Sequence, residues 1–420
     1  MGRLFWSRSL NPRRGFGPDK ETFMKRPCRF LALAVVSALL VKARSSESQV
    51  LTPTAAPAQN WISLASTADG TKLAAVSSYG WIYISTNSGT SWSTATTATN
   101  GQEPQRPWTG VAISADGSRL VAVANFNPIY LSTNGGLTWS TNGPTAVWGA
   151  VAASSDGMRL VAVDNNMGLI HVSMDGGLTW APTSAPNRRW RSVAVSADGT
   201  RIAAGTDFGT NYDQVPSIYT STNSGVTWKL TSAPGQAWQT IASSADGSKL
   251  AAGVYGGLIY LSANSGESWT PADVPSLRWG GIASSADGSR LAAVAWEGAV
   301  YLSSDSGRTW TQANAPAATW QTVACAADGI RLFAGIWSLS SGGIYGADLP
   351  PALSITPSAD GTMISWPAPA AGYALEQSSD IGARNWAQVT VTGEVVGGRN
   401  QVVIRSINGM CSYRLVRLSE

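Results

Sequence analysis

Asp207, Asp213 and Glu297 are the residues whose type and placement could do bond-breaking chemistry. Glycosidic hydrolysis needs two carboxyl groups flanking the scissile bond, one to protonate the leaving oxygen and one to attack or to activate water. Most acids in residues 50–351 recur at a fixed interval and read as architecture. Those that do not are Glu103, Asp164, Asp207, Asp213, Glu267, Asp273, Glu297 and Asp348. Among them, Asp207 or Asp213 with Glu297 is the combination that could face across a central opening. Residue types exclude other chemistries. His171 is the only histidine, so neither a Ser-His-Asp triad nor a His-rich metal site can be assembled. Cys28, Cys325 and Cys411 are the three cysteines, too few for a disulfide framework or a Cys-rich metal centre. Neither metal nor cofactor is expected.

Binding is the competing chemistry. Tyr79, Phe126, Phe208, Tyr212, Tyr255, Trp296 and Trp337 fall in loops that vary from one repeat to the next, as do Arg188, Arg189 and Arg278. Aromatic rings beside a few polar groups suit a sugar, whose apolar face stacks and whose hydroxyls need partners. A surface protein is the other ligand expected on this face.

The elements that position these residues follow from a repeat of 40–50 residues. Each unit opens on a tryptophan: Trp61, Trp108, Trp148, Trp190, Trp238, Trp279 and Trp320. An Asp-Gly turn follows, at Asp69, Asp116, Asp156, Asp198, Asp246, Asp287 and Asp328. Asp-Gly between short apolar runs predicts a tight primed hairpin. The lysine or arginine three residues after each Asp (Lys72, Arg119, Arg159, Arg201, Lys249, Arg290, Arg331) predicts a local, solvated acid–base pair. A third run carries Tyr83, Tyr130, His171, Tyr219, Tyr260, Tyr301 or Tyr345, so His171 stands at a tyrosine position. An eight-residue box of the form STNGGLTW then begins at Ser85, Ser132, Ser173, Ser221, Ser262 and Ser303. Four antiparallel strands per unit and seven units predict a seven-bladed β-propeller. The seventh unit lacks the box and a fourth strand. LTPTAAPAQNW, Leu51 to Trp61, aligns with WAPTSAPNRRW, Trp180 to Trp190. The N-terminal segment is therefore expected to close the ring as the last blade's outer strand.

The box resembles the Asp-box, or BNR repeat, of sialidase-like propellers, and the SADG turns resemble those of YVTN and WD-like propellers. The same pattern is shared with photosystem II assembly factor-like propellers. Two boxes keep the acid (Asp175, Asp305) and four carry Asn (Asn87, Asn134, Asn223, Asn264). Either side chain accepts backbone N–H bonds within its turn, a tolerable exchange in a fold motif and a poor one in a catalytic carboxylate. The closing tryptophans are expected to pack between blades. Sialidases also carry a spread arginine triad and an early F/Y-R-I-P motif, and neither is present.

Three segments are expected. Residues 1–43 are a leader: the basic cluster Met24 to Arg29 precedes the apolar run Phe30 to Val41, with translation starting at Met24. Residues 44–351 are the propeller. Residues 352–420 are a small β-domain, fibronectin III-like in pattern, with Tyr373, Glu376, Asp380, Trp386, Tyr413 and Arg414 as its skeleton. The leader accounts for the formal charge of +4: residues 1–49 hold ten basic and three acidic residues, leaving 19 basic and 22 acidic beyond. That balance argues against nucleic acid as partner.

A secreted or surface location is expected (the periplasm remains an option), with no transmembrane anchor after the leader is removed. The function expected is non-catalytic binding of carbohydrate or a cell-surface protein on the variable-loop face. A sialidase-like glycoside hydrolase and an assembly-factor-like scaffold stay open as alternatives.

Overall fold

The computed structural model describes the chain from Val50 onward, except residues 96–104, 167, 208–214, 339–341, 352, 359–360, 368–372, 379–384, 390–393, 397–398, 405–411 and 418–420. The leader, Phe208, Tyr212, Asp213, Asp380 and Cys411 therefore lie outside the described residues.

Seven four-stranded antiparallel blades surround an axis lined by their first strands. Blade 5 is representative, with strands Trp238–Ser243, Leu250–Gly257, Ile259–Ser262 and Thr270–Pro271. The outer strand of blade 7 is Thr52–Pro53, which pairs with Ile344–Asp348 in the register Thr52↔Gly346 and Pro53↔Tyr345. The N-terminal segment thus closes the ring.

Packing repeats at each seam between blades. The opening tryptophan is buried and meets the third-strand aromatic edge to face, from Trp61–Tyr83 at 5.0 Å to Trp279–Tyr301 at 5.7 Å. His171 fills the tyrosine position against Trp148 at 5.7 Å. Box tryptophans complete the seams. Trp92, for instance, packs into the cluster joining Trp61 and Tyr83 of blade 1 to Phe333 and Ile344 of blade 7. Asp and Asn boxes differ in the direction of one hydrogen bond. Asp175 accepts the Thr179 amide and hydroxyl, at 2.9 and 2.6 Å. Asn87 accepts the Ser91 amide at 2.9 Å and donates to its hydroxyl at 2.9 Å.

The Asp-Gly connections differ from the expected two-residue primed turn. That turn requires positive φ at two residues, whereas the glycine alone adopts it, as at Gly70 with φ 71°. The loop is longer, closed by Thr67 N–H to the Lys72 carbonyl at 3.0 Å and Gly70 N–H to the Thr67 carbonyl at 3.1 Å. Within it, Asp69 Oδ1 accepts the Thr67 hydroxyl at 2.6 Å and the Thr71 amide at 3.0 Å.

The residue before each turn Asp has a role the sequence reading did not assign. Ala68 N–H donates to Ala115, Ala115 to Ser155, Ser155 to Ala197, Ala197 to Ala245, Ala245 to Ala286, Ala286 to Ala327, and Ala327 back to Ala68, all at 2.7–3.0 Å. Seven backbone bonds thus form a closed circuit around the axis.

The cations also differ from expectation. They reach the next blade's turn instead of their own aspartate: Lys72 Nζ donates to the Gly117 carbonyl at 2.9 Å, Lys249 Nζ to that of Asp287 at 2.8 Å and Arg331 Nη1 to that of Asp69 at 3.3 Å. Their length spans the seam, and the turn carbonyls there need donors. Arg290 of blade 6 is buried and also donates to the carbonyl of Pro350, at the exit from blade 7.

Beyond the ring stand two small sheets. One orders Ser354–Ser358, Gly361–Pro367, Arg399–Ile404 and Glu394–Val396; the other orders Ala387–Gln388, Tyr373–Ser378 and Ser412–Arg417. Ile364, Trp366, Leu375, Val402 and Tyr413 are their shared core. Arg414 pairs with Glu376 at 2.8 Å and lies 4.3 Å over the Trp386 ring. Cys325 carries a free thiol whose pKa burial pushes up to about 12, the inert state of a structural cysteine.

Two predictions follow from this packing. Asp69, Asp116, Asp198 and Asp246 are held at about 2, first by the hydroxyl two residues earlier and then by the amide two residues later. A folded pKa below the unfolded value of about 3.9 stabilises the protein at neutral pH, and this contribution is lost as pH falls from about 4 towards 2. The urea midpoint should drop across that window, and Asp246→Asn should make the drop shallower; an unchanged slope would refute the assignment. At blade 3, His171 Nδ1 is buried without a partner, and burial lowers the imidazole pKa against the opposing pull of Asp164. His171→Tyr should raise the unfolding free energy by about 1 kcal/mol.

Candidate ligand-binding face

The loops opposite the Asp-Gly turns carry the candidate site, and a seven-fold backbone rule places its residues. In every blade one residue at the end of the second strand donates its N–H to the carbonyl just before the buried tryptophan. These residues are Ser78, Asn125, Asn165, Asp207, Tyr255, Trp296 and Trp337, with bonds of 2.7–3.0 Å to Asn60, Pro107, Val147, Arg189, Ala237, Arg278 and Thr319. The residue after each tryptophan is a β-bulge in all seven blades: Ile62, Thr109, Gly149, Arg191, Gln239, Gly280 and Gln321. Bulges at a rim re-aim side chains.

Identical backbone positions carry different chemistry around the ring. Blades 5, 6 and 7 present an aromatic ladder. Tyr255 meets Trp296 at 5.8 Å and 87°, and Trp296 meets Trp337 at 5.5 Å and 62°. Tyr255 is 45% and Trp337 40% exposed, while Trp296 is half-buried between them with its Nε1 enclosed and unpartnered. Arg278 flanks the ladder. Its guanidinium lies 5.7 Å from the Trp296 ring and its Nε donates to Glu297 Oε1 at 2.7 Å, while its backbone N–H reaches Glu297 Oε2 at 3.1 Å.

Blades 3 and 4 carry polar groups instead. Arg189 Nε donates to Asn165 Oδ1 at 3.0 Å, Arg191 Nε to Gln239 Oε1 at 3.2 Å, and Arg188 Nη2 to the Tyr219 hydroxyl at 3.2 Å. Burial lowers the Arg191 pKa, with nearby Asp207 opposing and Arg189 adding to the effect. Arg191, Gln239 and Asn165 are components the sequence reading left out of its site. Their position one residue after the repeat tryptophan, or at the end of the second strand, was the available signal.

Tyr79 and Phe126 do not occupy the ladder position. Ser78 and Asn125 do, and the aromatics fall one residue later, at turn tips with φ of 52° and 60°. They are 70% and 75% exposed, and neither ring meets another aromatic among the described residues. In blade 5 the same position is Gly256, φ 69°.

Of the candidate carboxylates, Glu297 is committed to a local partner, Arg278. Partial burial acts to raise the Glu297 pKa, but hydrogen bonds from the Arg278 side chain, the Glu297 amide and the Arg278 amide outweigh it and hold the group below its ordinary value. A general acid requires the opposite shift. Asp207 sits by Arg189 and Arg191, and Asp213 lies outside the described residues. Among the described residues, no group of three or more His, Cys, Asp and Glu could hold a metal ion.

No protein-family model matches the chain, and no curated protein matches it in sequence. Solved structures match the fold. One, described as "YCF48 bound to D1 peptide", superposes with a TM-score of 0.55 at 16% identity, covering 74% of this chain and 99% of its own. Another, "YCF48 from Cyanidioschyzon merolae", gives 0.54 at 15% identity, covering 72% and 99%. At this identity the likeness concerns the propeller fold alone.

The turn tips yield a stability prediction. A non-glycine residue in the left-handed region costs roughly 1–2 kcal/mol, and glycine's greater unfolded-state entropy returns about half. Tyr79→Gly and Phe126→Gly should therefore each stabilise the fold by ~0.5–1 kcal/mol in urea unfolding at unchanged m-value. A loss of stability would mean that these rings make intramolecular contacts that outweigh the strain.

Proposed function

We propose that this chain is a non-catalytic propeller that binds a protein segment on its variable-loop face, the scaffold or assembly-factor-like reading. The aromatic ladder Tyr255–Trp296–Trp337 carries this reading. It is a partly exposed apolar strip in a sector whose one nearby ion pair, Arg278–Glu297, is internally neutralised. Aromatic side chains on a rigid frame are the usual anchors of protein interfaces. The ionised state of Glu297 weighs against hydrolysis. The rings, set at 87° and 62° to one another, weigh against carbohydrate, because extended sugar binding favours faces exposed as a flat platform. A solved propeller of similar fold binds a peptide, which supports the same class of ligand here.

Site-specific photo-crosslinking tests it. A photoreactive amino acid at position 337 should give a discrete protein adduct in the host cell. The same group at Leu178, 73% exposed on the box turns, should give none. Adducts from position 178 alone, or no adduct at either position, would overturn the reading. So would retention on insoluble polysaccharide with release of sugar.

A further inference from the structure

We propose that Asn142–Gly143, on the outer strand of blade 2, is a self-modifying site: the asparagine deamidates through a cyclic imide, and the product loosens the seam with blade 3. The chemistry needs no partner and is independent of the binding reading above.

Three observations select this pair. The outer strand Ser140–Ala146 leaves both residues exposed to water. The Gly143 N–H donates to Asn142 Oδ1 at 2.8 Å, so the attacking nitrogen already lies against the carboxamide it must attack. Such proximity lowers the barrier of an intramolecular step. Gly143 has a φ of 79°, and a Cβ there would lie 2.8 Å from the Trp180 ring. The position is thus held to glycine, which hinders approach to its own nitrogen least.

The Gly143 nitrogen gives its proton to hydroxide and attacks Asn142 Cγ. A new C–N bond forms, the bond from Cγ to Nδ2 breaks, and ammonia leaves with a proton taken from water. Water then opens the five-membered imide at either carbonyl, giving aspartate or isoaspartate.

Asn134–Gly135 is the same dipeptide in the neighbouring box turn, and its asparagine is also exposed. There the Gly135 N–H donates away, to the Ser118 carbonyl at 2.7 Å, and Asn134 Oδ1 is held by the Thr138 amide at 2.9 Å. Sequence alone would give the two pairs equal rates; the hydrogen bonds separate them.

The consequence lies across the seam. Asn142 Nδ2 donates to the carbonyls of Gly177 and Leu178 in the box turn of blade 3, at 3.0 and 2.5 Å. A carboxylate only accepts, so the product loses both bonds and sets an anion against two carbonyl oxygens. An acid at position 134 has no such effect, since Asp175 makes the corresponding bonds to Thr179 in blade 3.

Peptide mapping by mass spectrometry, after incubation of the full chain in mildly alkaline buffer, tests the inference. In the native chain Asn142 should convert at least about tenfold faster than Asn134, and in the urea-unfolded chain the two rates should converge. Asn142→Asp should melt at a lower temperature, whereas Asn134→Asp should melt with the parent. If Asn142→Asp does not fold, the melt of the aged parent chain is read in its place. Equal native rates, faster conversion at Asn134, or a difference that persists in urea would overturn the inference. So would an unchanged melt on conversion of Asn142.

Discussion

The closed circuit of seven backbone hydrogen bonds, Ala68 to Ala115 and onward until Ala327 returns to Ala68, is the constraint on which the rest depends. Each blade donates one backbone amide to its neighbour, which ties consecutive blades together at their Asp-Gly turns. The residue before the turn aspartate is alanine in six blades and serine in the other. The lysines and arginines that reach across to the next turn lie over the same seams. Their span explains why glycine follows the aspartate: a Cβ at Gly117 would lie 2.8 Å from the Lys72 side chain, and one at Gly247 2.5 Å from that of Arg201.

A frame this regular makes departures easy to see. Seven identical backbone positions on the opposite face carry aromatics in blades 5 to 7 and serine, asparagine or aspartate in blades 1 to 4. Backbone geometry cannot account for the difference, since the same hydrogen bond is made in all seven. The choice of side chain is therefore free of the fold and available to recognition. His171 and Thr220 show the same freedom inside the seams. Thr220 stands where neighbouring blades have Leu131, Val172 or Leu261 against a box glycine, and the groove beside it, lined by Lys229, Leu230 and Glu267, has a volume of about 340 Å³.

Strand count, blade count and ring closure were legible because a periodic sequence states the same packing problem seven times. The gap-free match of Leu51–Trp61 to Trp180–Trp190 was enough to place the outermost strand. The tyrosine role of His171 was legible for the same reason. The turn geometry and the reach of the cations were not, because both depend on the neighbouring blade. Lys72 sits beside Asp69 in the chain but beside Gly117 in space. Within the candidate site, the meeting of Tyr255, Trp296, Trp337, Arg278 and Glu297 depends on a blade-to-blade rotation that spacing in the sequence does not encode. Tyr79 and Phe126 fall one residue beyond the ladder position, a distinction that residue types in loops of unequal length do not reveal.

Closing the ring with Thr52–Pro53 against Ile344–Asp348 joins residues almost 300 positions apart, as in the bond from Thr52 to the Gly346 carbonyl. During synthesis the first blade's seam with the seventh stays open until the chain has passed Asp348. Trp61 and Tyr83, which pack against Phe333 and Ile344, remain wet throughout. Local hairpins can form as they emerge, but the final seam carries a high loop-closure entropy and must form last. A nascent or truncated chain ending before the seventh blade is thus an open crescent with apolar flanks at both ends. Its natural fate is to pair with another crescent, so chain completion itself acts as the safeguard against aggregation.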